Sequence, residues 1–153
     1  MPWPDAFARF LERPVPKFLH LAAARPGRSP IGCRGYGALR DGDDLLVYIS
    51  QSDWHRFRET LRDGQPLAAL LTSGIDNESY QAKGACGGGR DMRREDVSAL
   101  ERERDFVRAT FPDLLTVVAI DPANCVAVAI HSPALYVQTP GPAAGAPLTE
   151  RSV

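Results

Sequence analysis

Arg34 to Ser50 reads RGYGALRDGDDLLVYIS. Its centre, Asp41-Gly42-Asp43-Asp44, carries an Asp-Gly pair, the strongest short hairpin signal, because a two-residue turn needs positive φ. On either side lie strand-like runs. Ile31 to Arg40, IGCRGYGALR, is rich in glycine, so that strand is expected to be bent or closely approached by another element. Leu45 to Ser50, LLVYIS, is apolar and β-branched. The stretch therefore predicts two antiparallel strands joined by a tight turn.

The same pattern repeats outward. Lys17 to Arg25, KFLHLAAAR, predicts a strand leading through the Pro-Gly turn at 26–27 into the hairpin. Before it, PDAFARFLER predicts a short amphipathic helix with Asp5 near its cap and Phe7, Phe10 and Leu11 on one face. After Ser50, SDWHRFRETLRDG predicts a helix capped by Ser52 or Asp53 and ended by Gly64. LAALLTSG and SYQAKGA predict two further strands. Arg93 to Phe111 predicts the longest helix, with Val97, Leu100, Val107 and Phe111 on one stripe. LLTVVAI, CVAVAI and ALYVQT complete the expected strands. Hairpin-length links imply antiparallel pairing, and six or more such strands with a few helices imply a mainly β fold, a small β-barrel with flanking helices. The expected organisation is an N-terminal helix and entry segment at 1–16, a barrel at 17–139, and a Pro/Gly/Ala-rich arm at 140–153.

The glycine cluster in Asn77 to Asp91, NESYQAKGACGGGRD, invites comparison with phosphate-binding loops. After Gly89 come Arg90 and Asp91, not the lysine and hydroxyl residue of a P-loop. The glycine spacing is not that of a dinucleotide fingerprint either. The glycines are expected to turn the chain from a barrel strand toward the long helix.

Composition excludes several classes. A chain of 153 residues suggests one domain, and 18 basic against 19 acidic residues leave no electrostatic case for nucleic acid or anionic membranes. Cys33, Cys86 and Cys125 are odd in number and widely spaced, which favours a reducing cytoplasm over a disulfide framework or zinc site. The apolar run FLHLAAARP is too short for a signal peptide or a membrane span. His20, His55 and His131 fall on separate elements without ligand spacing, so no metal site is expected. No G-x-S-x-G elbow marks a nucleophile.

Three stretches resemble the pyridoxamine 5′-phosphate oxidase-like family, the FMN-binding split barrels. In RGYGALRDGDDLLVYIS, Arg34 falls where the family has a phosphate-binding arginine, and Tyr48 and Ser50 fall near its polar strand end. AALLTSGIDNESYQAKG is similar to the family's apolar strand, short loop and following strand with a glutamine and terminal glycine. SPALYVQTPGPAAGAPL is similar to its last barrel strand and tail. The resemblance implies a split barrel, FMN as cofactor, and a homodimer with the flavin sites at the subunit interface. The Ser-Arg-Lys run that grips the FMN phosphate in the oxidases is replaced here by SQSDWHRFRET. The arginine–histidine pair that binds pyridoxal phosphate has no counterpart in the tail. Vitamin B6 oxidation is therefore not expected. Some split barrels bind heme, and His20 could be a ligand, though nothing specifies one.

The residues themselves define a candidate site. Strand alternation puts Ser79, Gln81 and Lys83 on one face. The Gln81 amide can donate to and accept from a flavin ring, and Lys83 could place positive charge where a reduced flavin becomes negative. Arg34 offers a planar fork to a phosphate, or a surface ion pair to Asp43 or Asp44. Ser50, Ser52, Arg56 and Arg58 are placed at a helix N-terminus or in its first turns, where N–H groups favour an anion, or else serve as ordinary capping. The expectation is a flavin-dependent oxidoreductase of unknown substrate. The alternative is a cofactor-free split-barrel module that binds a small ligand or a protein.

Overall fold

The computed structural model describes residues 3–149. Six antiparallel strands close into a barrel in the order β1-β2-β3-β6-β5-β4. These are β1 (Lys17–Arg25), β2 (Arg28–Asp41), β3 (Asp44–Ser50), β4 (Pro66–Ser73), β5 (Ser79–Asp91) and β6 (Cys125–Val137). The hairpin at Gly42 forms as the sequence predicts, with Gly42 at φ +62° and Asp41 paired to Asp44. Alternation sends Leu19, Leu21 and Ala23 of β1 inward to meet Leu45, Val47 and Ile49 of β3 and Leu67, Ala69 and Leu71 of β4 in one core.

Helices close the barrel ends. Helix α1 (Asp5–Glu12) buries Phe7 and Phe10, whose rings meet Tyr80 edge-on at 5.5 and 5.0 Å. At the end where β1 finishes, α2 (Gln51–Phe57) and the turns after it bring Phe57 and Leu61 against Leu21, Ala23 and Cys33. Helix α3 (Arg94–Thr110) lies outside the sheet over Leu46 and Tyr48. It comes close because Gly37 has no side chain, since a Cβ there would stand 2.7 Å from Leu100. The glycine-rich strand is thus closely approached, as expected.

A buried polar cluster anchors α3. Asp96, 1% exposed, accepts from Tyr48 Oη at 2.7 Å, from Arg90 at 2.5 Å and from the Arg93 N–H at 2.7 Å. Burial alone would raise the Asp96 carboxyl; the hydrogen bonds from Arg90, Arg93 and Tyr48 and the Arg90 charge outweigh it and hold the pKa below its usual value. The Tyr48 hydroxyl is pushed up by burial and by its bond to Asp96.

Four expectations are corrected. The glycine cluster does not turn the chain: Gly84, Gly87, Gly88 and Gly89 all lie within β5. Two register shifts coil this strand around the barrel, and Gly89 makes room for the Trp54 ring, which a Cβ would meet at 2.6 Å. LLTVVAI is not a strand. After Pro112 the chain makes a 3-10 turn and then α4 (Leu115–Val118). Its β-branched residues favour a strand, but a closed barrel offers no free edge. CVAVAI and ALYVQT form one strand, β6, that continues through Ser132 at φ 37° and Pro133. Helix α2 is capped by Ser50, whose side chain accepts from the Asp53 N–H at 3.0 Å, and it ends at Phe57 well before Gly64.

The arm returns along β6. Val137 N–H donates to the Ala146 carbonyl at 2.9 Å, Leu148 N–H donates to the Leu135 carbonyl at 2.8 Å, and Leu148 packs on the core. No helix among the described residues is long and apolar enough to cross a membrane.

Candidate functional site

The strand registers assemble a row on the outer face of the barrel. Arg34 of β2 pairs with His20 of β1, His20 with Leu70 of β4, Leu70 with Gln81 of β5, and Gln81 with Tyr136 of β6. The parallel row beside it is Gly32, Ala22, Ala68, Lys83 and Ala134. Four of those five side chains are a methyl group or nothing, so the face is flat. Leu70 is 37% exposed there, one of two large apolar side chains in the exposed class among the described residues.

Gln81 and Lys83 share this face, as alternation predicts. Gln81 Oε1 accepts from Gln138 Nε2 at 3.2 Å, which leaves the Gln81 amide hydrogens for another partner. The Lys83 ammonium lies 5.1 Å from the Tyr136 ring centre. Ser79 is buried at the end of the strand, where its hydroxyl is shared between Thr72 and the Asn77 carbonyl.

Arg34 is exposed at the far end of the row. It donates to the Val117 carbonyl at 2.7 Å, while Asp44 is engaged by the His131 ring at 2.9 Å and by the Ser132 N–H at 3.2 Å. One step beyond the Gly35–Ile49 pair, Arg34 comes abreast of Ser50, where α2 begins. Ser50 and Ser52 lie together at that start, their hydroxyls 3.4 Å apart. Arg56 is held by Asp53 at 3.1 Å and leans on Phe57. Arg58 does not join them. Because the helix is short, Arg58 is its C-cap, at the end whose dipole repels anions. Tyr48 stands apart too, fully buried beneath α3 with its hydroxyl on Asp96.

The outer face thus brings Arg34, Gln81 and Lys83 together with two residues that sequence reasoning did not place with them, His20 and Leu70. Alternation within β1 and β4 sends both outward. Only the pairing of β1 between β2 and β4 puts them between Arg34 and Gln81.

Among the described residues no group of three or more His, Cys, Asp or Glu side chains could hold a metal ion. The cysteine thiols are buried or half-buried, and burial pushes those of Cys33 and Cys125 up to about 12, which disfavours their nucleophilic thiolate form.

No protein-family model and no curated protein matches the chain. Solved structures do. An F420 reductase is similar with a TM-score of 0.52 and 18% identity over 87% of this chain and 98% of that one. A pyridoxamine 5′-phosphate oxidase-related, FMN-binding protein of Nostoc punctiforme gives 0.49 and 14% over 94% and 87%. HupZ of Group A Streptococcus gives 0.49 and 12% over 84% and 90%. The closed six-stranded antiparallel order, with helices at its ends and flank, is a split β-barrel of the FMN-binding type. The chain has the fold of the pyridoxamine 5′-phosphate oxidase-like proteins, as the resemblance in its sequence implies.

Proposed function

We propose that the protein binds FMN on the outer face of its barrel, between two copies of the chain, and serves as a flavin-dependent oxidoreductase. The observation that carries this reading is the row from Arg34 to Gln81. It spans three inter-strand steps, roughly 14 Å, with an anion-binding fork at one end and an amide at the other. That donor set suits a ligand with a phosphate at one end and a polar-edged ring at the other. Arg34, with Ser50 and Ser52, would hold the phosphate. Gln81 would meet the ring's carbonyl and N–H groups, and Lys83 would add positive charge beside it. Bound FMN supplies hydride or single-electron transfer, and the chain supplies position and electrostatics.

A flat face does not enclose a flavin. The exposed Leu70 and its alanine surround are suited to a second barrel, which would cover the ligand and complete the pocket. Vitamin B6 is not the proposed substrate, because the arm carries no histidine and its described part folds back on β6.

The test is FMN affinity measured over a range of protein concentrations. A site shared between copies loses affinity on dilution below the point where the dimer dissociates. An affinity independent of protein concentration in the monomer range would overturn the shared site, and no FMN binding at any concentration would overturn the flavin reading.

A further inference from the structure

A cleft of about 410 Å3 lies between the α1–β1 connection and α3, and none of the outward row lines it. Its volume sits at the lower end of the roughly 300–1,000 Å3 typical of small-molecule sites. Leu11, Val15, Leu39, Leu100 and Phe106 give it apolar walls, and Gly37 opens its floor.

Two opposite charges face this cleft without meeting. Glu103 is half-buried and, among the described residues, takes part in no hydrogen bond or ion pair. Its Oε2 stands 3.4 Å from where a Gly37 Cβ would be. Lys17 Nζ gives one hydrogen to the Arg13 carbonyl at 2.7 Å and has no carboxylate partner among the described residues. Burial pushes the Glu103 carboxyl up to about 7 and the Lys17 ammonium down, while each charge partly offsets the other's shift. The remaining charged groups on the cleft are Glu12, Arg13 and Arg102. Arg13 is occupied by Asp76 and Glu78 at 2.6 Å each.

An unpaired charge in a partly buried, apolar setting is costly. A simple amine would satisfy Glu103 and leave Lys17 facing a like charge. A simple acid would do the reverse. We propose that this cleft binds a small apolar zwitterion of the amino-acid type, with its ammonium on Glu103, its carboxylate on Lys17, and its side chain against Leu39, Leu100 and Phe106. This site is independent of the flavin face.

Calorimetric titration of the full chain with phenylalanine and leucine tests it, with phenethylamine and 3-phenylpropionate as probes that each lack one charge. At least one amino acid should bind roughly tenfold or more tighter than either single-charge probe. Glu103→Gln and Lys17→Met should each weaken that binding by a similar factor, with circular dichroism reporting an intact fold. The single-charge probes on the unaltered protein keep the test decisive if a variant fails to fold. Absence of heat with both amino acids, equal binding of phenethylamine or 3-phenylpropionate, or affinity untouched in both folded variants would overturn the proposal.

Discussion

Arg34 and Gln81 point out of the barrel on one cross-strand row, with His20 and Leu70 between them. The two residues are far apart in sequence and lie on strands that are not neighbours. On the proposed reading their alignment would separate phosphate recognition from ring recognition, so the two can be measured apart. Arg34→Ala should weaken FMN by roughly tenfold or more, as expected for a charge-assisted hydrogen bond of about 1.5–3 kcal/mol. It should leave riboflavin, which lacks the phosphate, nearly unchanged. Gln81→Ala should weaken both. Fluorescence titration with the two flavins checks this, and equal losses for Arg34→Ala would remove that residue from the phosphate end.

Leu70 tests the shared face. Leu70→Arg puts a charge on an exposed position, where it should cost little stability in the monomer. Against a second barrel it should be strongly disruptive. Light scattering should find monomers, and FMN binding should weaken with it. A variant that stays dimeric and binds FMN normally would place the interface elsewhere.

The Asp96 cluster is structural, and its role shows in acid. The carboxyl's lowered pKa means that its stabilisation is present above the unfolded value and is lost as pH falls through the folded one. Asp96→Asn should cost about 2–3 kcal/mol at neutral pH, because Arg90 loses its partner in a partly buried position. It should also flatten the acid limb of the stability profile. Tyr48→Phe should cost about 1 kcal/mol. Urea unfolding at pH 3 to 7 measures both.

Glu103 has the opposite sign. Its carboxyl is raised to about 7, so the folded state holds the proton more tightly than the unfolded chain. The protein is favoured below the unfolded carboxylate range and loses that advantage as pH rises toward 7. Glu103→Gln should therefore stabilise the ligand-free protein by about 1 kcal/mol at pH 8, a figure reduced for the group's partial exposure, and do little at pH 4. Thermal melts at the two pH values decide it.

Much of the barrel was readable because local signals agreed. The run from Lys17 to Arg25 alternates as a strand and forms one with those bounds, and the Gly42 turn falls where its chemistry requires. The misreadings have tertiary causes. Leu114 to Ile120 has strand composition, yet no strand edge remained for it to join. The glycines after Lys83 look like a turn because the sequence does not show Trp54 and His131, whose close approach they permit. Of the proposed site, Gln81 and Lys83 were readable from alternation. That Tyr48 lies outside it was not readable, because alternation shows which face a residue takes but not that α3 covers it.

The visible absorption spectrum of the purified protein, after addition of FMN and removal of the excess, tests the central claim most directly. The account predicts a flavin spectrum at about one FMN per chain, strongly reduced in the Arg34→Ala, Gln81→Ala double variant. A colourless protein that retains no FMN would contradict it and leave the outward row a protein-facing surface alone.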